Sequence, residues 1–472
     1  MAKKKKQNRF KMPSAFTVLL LIIVVLAIVT NLIRSDAVTG ATLPLVVMSP
    51  VLGFVDALDV ALFVMIIGGF LGVINKTEAL QAGIAKVVEK FKGKENVLIP
   101  VLMFLFSIGG TTYGMAEETI AFYALIVGTM MLAGFDSLTG AAVILLGAGV
   151  GVLGSTVNPF AIGAAIDALP AGVEVSQAAI ISLGAILWIS SYLIATFFVM
   201  RYAKKVKAKK SKSILSKEEI KASEEVYLKQ KEDEVEGPKL TVRRKLVLGV
   251  FGFSFVIMIL SLLPWWSFGV EIFNNTTDWL VGIPFGDWYF QELSAWFFLM
   301  AIVVGLIYGL KEKEIVDSFI AGAADMMGVA LVIAVSRGIS VIMSETGLGD
   351  YILVNAAEAL QNVNAGLFTS LSYFLYLGLS FLIPSTSGLA GASMPIMGGL
   401  ADALSLSPEV MIMIFCSACG VVNLVTPTSA VVMGGLATSK IEFSTWLKFV
   451  WKVLAALIVA NILILSVAMV IL

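Results

Sequence analysis

Long apolar runs recur along the whole chain and predict a protein built from membrane-spanning helices. The first run, SAFTVLLLIIVVLAIVTNLI at 14–33, is long enough to cross a bilayer. No small-residue cleavage site follows it, so we interpret it as an uncleaved helix rather than a signal peptide. Further runs of similar character lie at 55–76, 138–166, 177–200, 246–264, 291–310, 320–344, 409–437 and 446–471. The pattern predicts an all-α polytopic membrane protein with about nine transmembrane helices.

Two other apolar stretches, 97–133 and 364–400, are long for one helix and are interrupted by Gly, Ser, Thr and Pro. We interpret both as re-entrant hairpins, because irregular backbone survives at membrane depth only where it is buried or lines a cavity. With a cytoplasmic N-terminus, almost all of the 33 Lys and Arg residues then lie in cytoplasmic loops, leaving Arg34 outside and Arg337 within a span. This agrees with the positive-inside rule. It predicts a multi-pass protein of the cell (inner or plasma) membrane with its C-terminus outside.

Composition excludes several classes of function. Hydrophobic residues make up 58% of the chain and charged residues only 14%, which is incompatible with an ordinary soluble domain. The 33 basic residues balance 33 acidic ones, so no net charge favours a nucleic-acid partner. The chain has no histidine, which excludes His-dependent zinc sites and Ser-His-Asp triads. Cys416 and Cys419 form a CxxC in an apolar segment, where we favour core packing over redox chemistry.

The two halves of the chain align weakly with each other at an offset of about 269 residues. DVALFVMIIGGFLGVINKT (59–77) aligns with GVALVIAVSRGISVIMSET (328–346), and Pro159 aligns with Pro427. Under the predicted topology the aligned spans run in opposite directions, as in the inverted repeats of secondary transporters. The predicted organisation begins with a basic cytoplasmic N-terminus (1–13) and a first repeat (14–200), which contains hairpin 97–133 and broken helix 138–166. A cytoplasmic linker (201–245) and a connecting helix with an outer loop (246–290) follow. The second repeat (291–472) contains hairpin 364–400 and broken helix 409–437.

Four polar, helix-breaking clusters interrupt the apolar background at matched positions of the two repeats. They are GGTTYGMAEE (109–118), GSTVNPF (154–160), IPSTSGLAGAS (383–393) and NLVTPTS (423–429). The N-terminus of a half-helix presents unpaired N–H groups that suit a carboxylate, whereas C-terminal ends with Ser, Thr and Asn oxygens suit Na⁺ or an ammonium group. Gly and Pro also occur in membrane helices without any such role. Four clusters in matched pairs favour a binding site.

Charged residues in the apolar segments are further candidates. Placing a carboxylate near the bilayer centre costs at least ~2.5 kcal/mol of insertion free energy. Glu117 and Glu118, which follow the first hairpin tip, therefore require a charged partner or a functional role. Adjacent helical positions point about 100° apart, so we expect one of them, with a slight preference for Glu118, to face the site. Arg337 is either their counter-ion or a ligand for an anionic substrate. Asp56, Asp59 and Asp325 are candidate ion-coupling carboxylates. For Asp56 and Asp325, which align in the repeat, a hydrated helix end is the alternative.

Several of these segments resemble the YfcC-like transporters, which belong with the four-carbon dicarboxylate anaerobic carriers in the ion transporter superfamily. They are GGFLGVINKTEALQAGI (68–84), IPVLMFLFSIGGTTYGMAEETIAFYALIV (99–127), STVNPF (155–160), FLIPSTSGLA (381–390) and VTPTSAVVMGGLA (425–437). The resemblance runs from about residue 10 to the C-terminus and is strongest to members described as arginine/ornithine exchangers. The first outer loop, at 34–55, is shorter than in that group.

The resemblance implies a homodimer with scaffold and transport domains, an elevator-type movement, and substrate held between the hairpin tips and the broken helices. The positions at which it implies substrate or ion binding are Gly110, Thr111, Thr112, Glu117, Glu118, Ser155, Thr156, Asn158, Ser385, Thr386, Ser387, Asn423, Thr426 and Thr428. Arg337 joins them on the evidence of its place within a span. No metal site is expected beyond Na⁺ at these clusters.

The leading functional prediction is secondary transport of amino acids, basic ones first, by arginine/ornithine exchange or ion-coupled uptake. The acids at 117–118 would bind a cationic side chain, and helix N-termini would bind the α-carboxylate. The alternative is a Na⁺- or H⁺-coupled dicarboxylate transporter with Arg337 as an anion ligand. A channel would not need inverted hairpins, and an enzyme would need a nucleophile–base pair that we do not find. We therefore expect a protein that is not an enzyme and that uses no cofactor other than a coupling ion, Na⁺ or H⁺. Its expected partners are a small-molecule substrate, the bilayer and a second copy of the chain, and no nucleic acid.

Overall fold

The structure is a computed structural model that describes residues 15–80, 82–83, 86, 94–228, 239–262, 265, 269–273, 276–383 and 385–472. The predicted N-terminal segment 1–13 lies outside these residues. In the described part the secondary structure is helical. The helices are α1 (Ala15–Leu32), α2 (Leu43–Asp56), α3 (Leu58–Lys76), α4 (Glu95–Tyr113), α5 (Tyr123–Leu132), α6 (Ser137–Leu153), α7 (Ala164–Asp167), α8 (Gln177–Ala208), α9 (Lys217–Tyr227), α10 (Val242–Leu262), α11 (Phe290–Tyr308), α12 (Glu312–Glu345), α13 (Leu348–Leu360), α14 (Ala365–Leu382), α15 (Thr386–Ala403), α16 (Pro408–Asn423), α17 (Ala430–Thr438) and α18 (Phe443–Ile471).

Seven helices of the described chain are long and apolar enough to cross a membrane, namely α3, α8, α10, α11, α12, α14 and α18. The expected nine crossings therefore stay a prediction. The difference arises mainly at the broken spans, because α6 and α16 have only 17 and 16 residues before their breaks. Conversely α14, which we assigned to a re-entrant hairpin, is apolar enough over 18 residues to cross by itself.

Two segments that lie between the predicted spans contain helices. Helix α2 occupies most of the stretch 34–55, and its N-cap Thr42 accepts a hydrogen bond from the backbone N–H of Leu45. Helix α13 occupies most of the stretch 345–363. With 14 and 13 residues, neither helix is long enough to cross a bilayer, which is why hydropathy alone did not separate the two segments from loops. Most of the predicted first outer loop is thus a helix that packs against α12.

The helices form two bundles. In the first bundle α3 and α12 pack along each other, with α1, α2, α10 and α11 around them. The second bundle contains α4–α8 and α14–α18, with the buried helices α6 and α16 in contact at its centre. The two bundles meet where α12 contacts α17 and where α3 contacts a 3₁₀ turn at Glu117–Phe122. Helix α13 contacts α12 of the first bundle and α15 of the second.

Both predicted helix breaks are present. Helix α6 ends at Leu153, and the chain becomes helical again in a π turn that begins at Pro159. Helix α16 ends at Asn423, and α17 begins at Ala430, with Pro427 in the break between them. Proline removes a backbone donor and clashes with the preceding turn, so each interruption follows from the local sequence.

The linker helix α9 is attached to the second bundle rather than free. The carboxylate of Glu219, which caps α9, also accepts a hydrogen bond from the backbone N–H of Glu442 at 2.8 Å. The hydroxyl of Tyr227 donates to the carbonyl of Thr438 at 2.8 Å. Burial raises the pKa of Tyr227 to about 12, so this donor keeps its proton at neutral pH. Residues 229–238 of the predicted linker lie outside the described chain.

Cys416 and Cys419 lie in α16, both buried and both free thiols. Their exposed fractions are 1% and 2%. This confirms the interpretation of the CxxC as one packed turn of a core helix.

Candidate substrate site

A cavity of about 190 Å³ lies between the two bundles, where the helix breaks and hairpin tips come together. We call it the site cavity. Its lining includes residues of all four polar clusters predicted from the sequence. The predicted site residues that line it are Asn158, Arg337, Ser385, Thr386, Ser387, Asn423 and Thr428.

Two helices begin at the wall of the site cavity. The hydroxyl of Ser385 caps α15 by accepting a hydrogen bond from the backbone N–H of Gly388 at 3.1 Å. The hydroxyl of Ser429 caps α17 in the same way, accepting from Val432. The first turn of any α-helix has N–H groups without intrahelical acceptors, and the helix dipole adds a partial positive charge there. Both helix starts therefore favour an anionic group in the cavity.

Arg337 is the one charged side chain among the described residues that line the site cavity. Its Nη1 atom lies 3.7 Å from the Oδ2 atom of Asp56 and within 4 Å of the place that a side chain at Gly388 would occupy. The guanidinium group therefore lies close to the first turn of α15. Because Arg337 is on α12, the first bundle supplies the positive charge, and the second bundle supplies the hydroxyl and amide groups.

The first helix break is organised around Asn158. This side chain is only 2% exposed; its amide donates to the hydroxyl of Ser155 at 3.0 Å, and its carbonyl accepts from the backbone N–H of Phe160 at 3.0 Å. Gly114, which ends α4, has φ +77°, and a Cβ there would lie 2.7 Å from the Asn158 amide. A glycine is therefore needed at this point for conformational and for steric reasons.

Thr111 and Thr156 connect the first hairpin to the first break instead of lining the site cavity, and Ser155 forms hydrogen bonds within the break. The hydroxyl of Thr111 donates to the carbonyl of Gly154 at 2.7 Å. The backbone N–H and the hydroxyl of Thr156 both donate to the carbonyl of Thr111, at 2.9 and 3.0 Å. The hydroxyl of Ser155 donates to Val152 and accepts from Asn158. These bonds fix the cavity wall, and direct contact of the three residues with substrate stays a prediction.

Three other predicted residues have different surroundings. Gly110 lies at the contact between α4 and α6, where a Cβ would be 2.1 Å from the carbonyl oxygen of Ala148. The hydroxyl of Thr112 donates to the carbonyl of Ile108 in its own helix at 2.7 Å. The hydroxyl of Thr426 lies 2.6 Å from that of Thr428, which does line the cavity.

Glu117 and Glu118 begin the 3₁₀ turn immediately after Ala116, which lines the site cavity. Their side chains lie outside the described part of the structure, so the choice between them stays a prediction. The described ion pair of Arg337 is with Asp56, which sequence reasoning did not assign to it.

Sequence reasoning also missed the apolar side of the site. Val60 and Phe290 line the cavity from the first bundle, and Phe160 faces them from the second. The rings of Phe160 and Phe290 stack with centroids 5.7 Å apart. Phe160 belongs to a polar cluster and could have been noticed, but Phe290 lies in an ordinary apolar run that carries no such signal.

The sequence profile of the C4-dicarboxylate anaerobic carriers matches residues 34–470. The chain belongs to this family. An uncharacterised protein of Haemophilus influenzae is 32% identical over 424 residues, which is 89% of this chain and 77% of that protein. YfcC of Escherichia coli (strain K12), to which basic amino acid antiport is attributed provisionally, is 28% identical over 403 residues, 83% of this chain and 74% of YfcC.

The fold of this carrier family member is also that of a solved transporter. The YdaH transporter of Alcanivorax borkumensis superposes with a TM-score of 0.50 at 14% identity, covering 96% of this chain and 98% of that one. At this identity the likeness concerns the fold alone. Together with the apolar helices, the family membership identifies the chain as a multi-pass membrane transporter, as the resemblance to YfcC-like transporters implied.

Replacing Asn158 by aspartate should raise the KM for a carboxylate substrate at least about tenfold. Aspartate keeps the acceptor for the Phe160 N–H but places a negative charge at the cavity wall, where it repels the substrate anion. Initial uptake rates in proteoliposomes measure the effect. Asn364→Asp is the matched control, because Asn364 also caps a helix but is exposed and does not line the cavity. Equal KM values for the two variants would contradict the placement of Asn158.

Proposed function

We propose that this carrier is a secondary active transporter of small carboxylate-bearing solutes, with basic amino acids as the first candidates. The observation that carries the proposal is the convergence of Arg337 and two helix N-termini on one cavity between two bundles. Such an arrangement binds a carboxylate through charge-assisted hydrogen bonds and through the partial charges of the helix ends.

Exchange of basic amino acids, such as arginine for ornithine, would use this carboxylate site for the α-carboxylate. The cationic side chain would then require an acidic partner, and Glu117 and Glu118 are next to a residue that lines the cavity. The attribution of basic amino acid antiport to YfcC supports the same substrate class.

Transport of a dicarboxylate, driven by Na⁺ or H⁺, is the second candidate. The family takes its name from C4-dicarboxylates. Arg337, the charged group among the described lining residues, carries the positive charge that such an anion requires. The two helix starts could each hold one carboxylate of such a substrate. Under this alternative, Glu117 and Glu118 would be protonated or would bind the coupling cation.

The proposed mechanism is alternating access in a homodimer, with N-terminus cytoplasmic and C-terminus outside. The two bundles would correspond to a scaffold (α1–α3 and α10–α12) and a transport domain (α4–α8 and α14–α18), which would move against each other like an elevator. The matched order of interrupted helices in the two halves supports an origin in inverted repeats. The polar clusters would hold a coupling Na⁺, if one is used.

Counterflow in proteoliposomes tests the substrate class. Labelled arginine is offered against internal ornithine, and labelled succinate is offered with and without a Na⁺ gradient. Arginine counterflow that is lost in Glu118→Gln would support amino-acid exchange. Na⁺-driven succinate uptake without arginine transport would favour the dicarboxylate alternative over amino-acid exchange. The absence of both activities would contradict both candidates.

A further inference from the structure

A second, larger cavity of about 830 Å³ lies along the same helices as the site cavity. On α3, Val60 lines the site cavity and Gly68 lines the large one, eight residues or roughly 12 Å further along the helix. On α17, Val431 lines the first and Ala437 the second. The 3₁₀ turn and α12 also contribute lining residues to both cavities. The two cavities therefore follow each other along one path between the bundles.

A small apolar cluster separates them. Val60 and Val64 of the first bundle pack with Ile120 and Ala430 of the second, and each of the four is at least nine-tenths buried. Met326 packs against this cluster. The cluster is distinct from the main hydrophobic core, and it consists of residues from both bundles. It therefore depends on the relative position of the two bundles.

The far end of the large cavity is polar. Lys76 and Lys440 line it there, together with Asp325 and the linker residue Tyr227. Lys440 and the linker belong to the basic segments that the positive-inside rule assigns to the cytoplasm. Water and charged solutes can enter a cavity with such an end, but a tight apolar constriction excludes them.

We propose that the large cavity is the cytoplasmic passage to the site cavity, and that Val60, Val64, Ile120 and Ala430 form the apolar seal that closes it. The inference rests on the proposed transport function, since it assigns the route by which the same site is reached. Relative movement of the bundles would separate Val60 and Val64 from Ile120 and Ala430 and open the seal without breaking any hydrogen bond between them.

Two single cysteines on one helix test the proposal. Ala437→Cys places a thiol in the large cavity and Val431→Cys places one in the site cavity, while the native Cys416 and Cys419 are buried. A membrane-impermeant, cationic methanethiosulfonate is added to inside-out vesicles without substrate, and the unsubstituted chain measures the background. The thiol at position 437 should react at least ten times faster than the thiol at 431. Equal rates, or a thiol at 437 that reacts only from the opposite side, would overturn the proposal.

Truncating a side chain of the seal is the second test of the proposal. Ile120→Ala should raise the reaction rate of Val431→Cys at least tenfold and leave that of Ala437→Cys unchanged. Ile126→Ala is the matched control, because Ile126 is also buried but belongs to the main core. Val64→Ala replaces Ile120→Ala if the latter does not fold. An unchanged rate at position 431 in the folded seal variant would contradict the seal.

The two proposals fail separately. Reactivity that follows the expected pattern in a protein that transports neither arginine nor succinate would keep the passage and seal but refute the proposed substrates. Counterflow in a protein whose two thiols react equally would support the proposed substrates but refute the passage and seal.

Discussion

Lysine in place of Arg337 should lower the transport efficiency, kcat/KM, for the carboxylate substrate at least about tenfold, and glutamine should lower it further. Lysine keeps the charge but loses the planar fork that binds a carboxylate through two hydrogen bonds. Glutamine also removes the charge, which is the only one on the described lining of the site cavity. Uptake of labelled arginine and of labelled succinate in proteoliposomes measures the effect for both substrate candidates.

The matched control is Arg243→Lys. Arg243 donates to the carbonyl of Tyr308 at 3.3 Å and is not among the residues that line the site cavity. Its replacement should leave kcat/KM within about twofold of the unsubstituted protein, since exposed polar contacts contribute little. Asp56, which loses its partner in Arg337→Gln, is more than half exposed, so the folded state should tolerate the change. Wild-type kinetics in both Arg337 variants would contradict a carboxylate site at this position.

Alanine in place of Gly110 should lower the melting temperature of the purified protein by roughly 5 °C. The new Cβ would lie 2.1 Å from the carbonyl oxygen of Ala148, and a Cβ at Gly151 would lie 2.1 Å from that of Ser107. Helices α4 and α6 thus meet backbone to backbone, and neither contact atom belongs to a flexible side chain. Small residues permit such close approach in membrane bundles.

Gly249→Ala is the control for this packing effect. Gly249 lies in α10, and a Cβ there would have no heavy atom within 4 Å. Alanine should be neutral or slightly stabilising at that position, because it restricts the unfolded chain. Gly110 was predicted from sequence as a site residue, so the measurement also separates two roles. An unchanged melting temperature together with a raised KM would refute the packing role and restore the binding role.

Much of the architecture was accessible from the sequence because its signals are local. Hydropathy identifies apolar helices, and Pro159 and Pro427 mark the breaks directly. The serines that cap α15 and α17 are also local signals, because a cap acts on the turn that follows it. Helix α2 was missed for the complementary reason: a helix of 14 residues in an apolar segment has no hydropathy signal that separates it from a loop.

The sequence by itself determined that this protein is an apolar helical membrane protein with four polar interruptions that could bind a solute. Only the tertiary structure decided which of these interruptions share a cavity, because that depends on how α12 of one bundle packs against α15 and α17 of the other. It paired Arg337 with Asp56, 281 positions earlier. It also joined Thr111 to Thr156 by a hydrogen bond, outside the set of residues that line the cavity. It also brought Val60 and Ile120 together into one apolar cluster. Contacts between residues so far apart in the chain arise from packing of whole helices, which no local pattern of residues encodes.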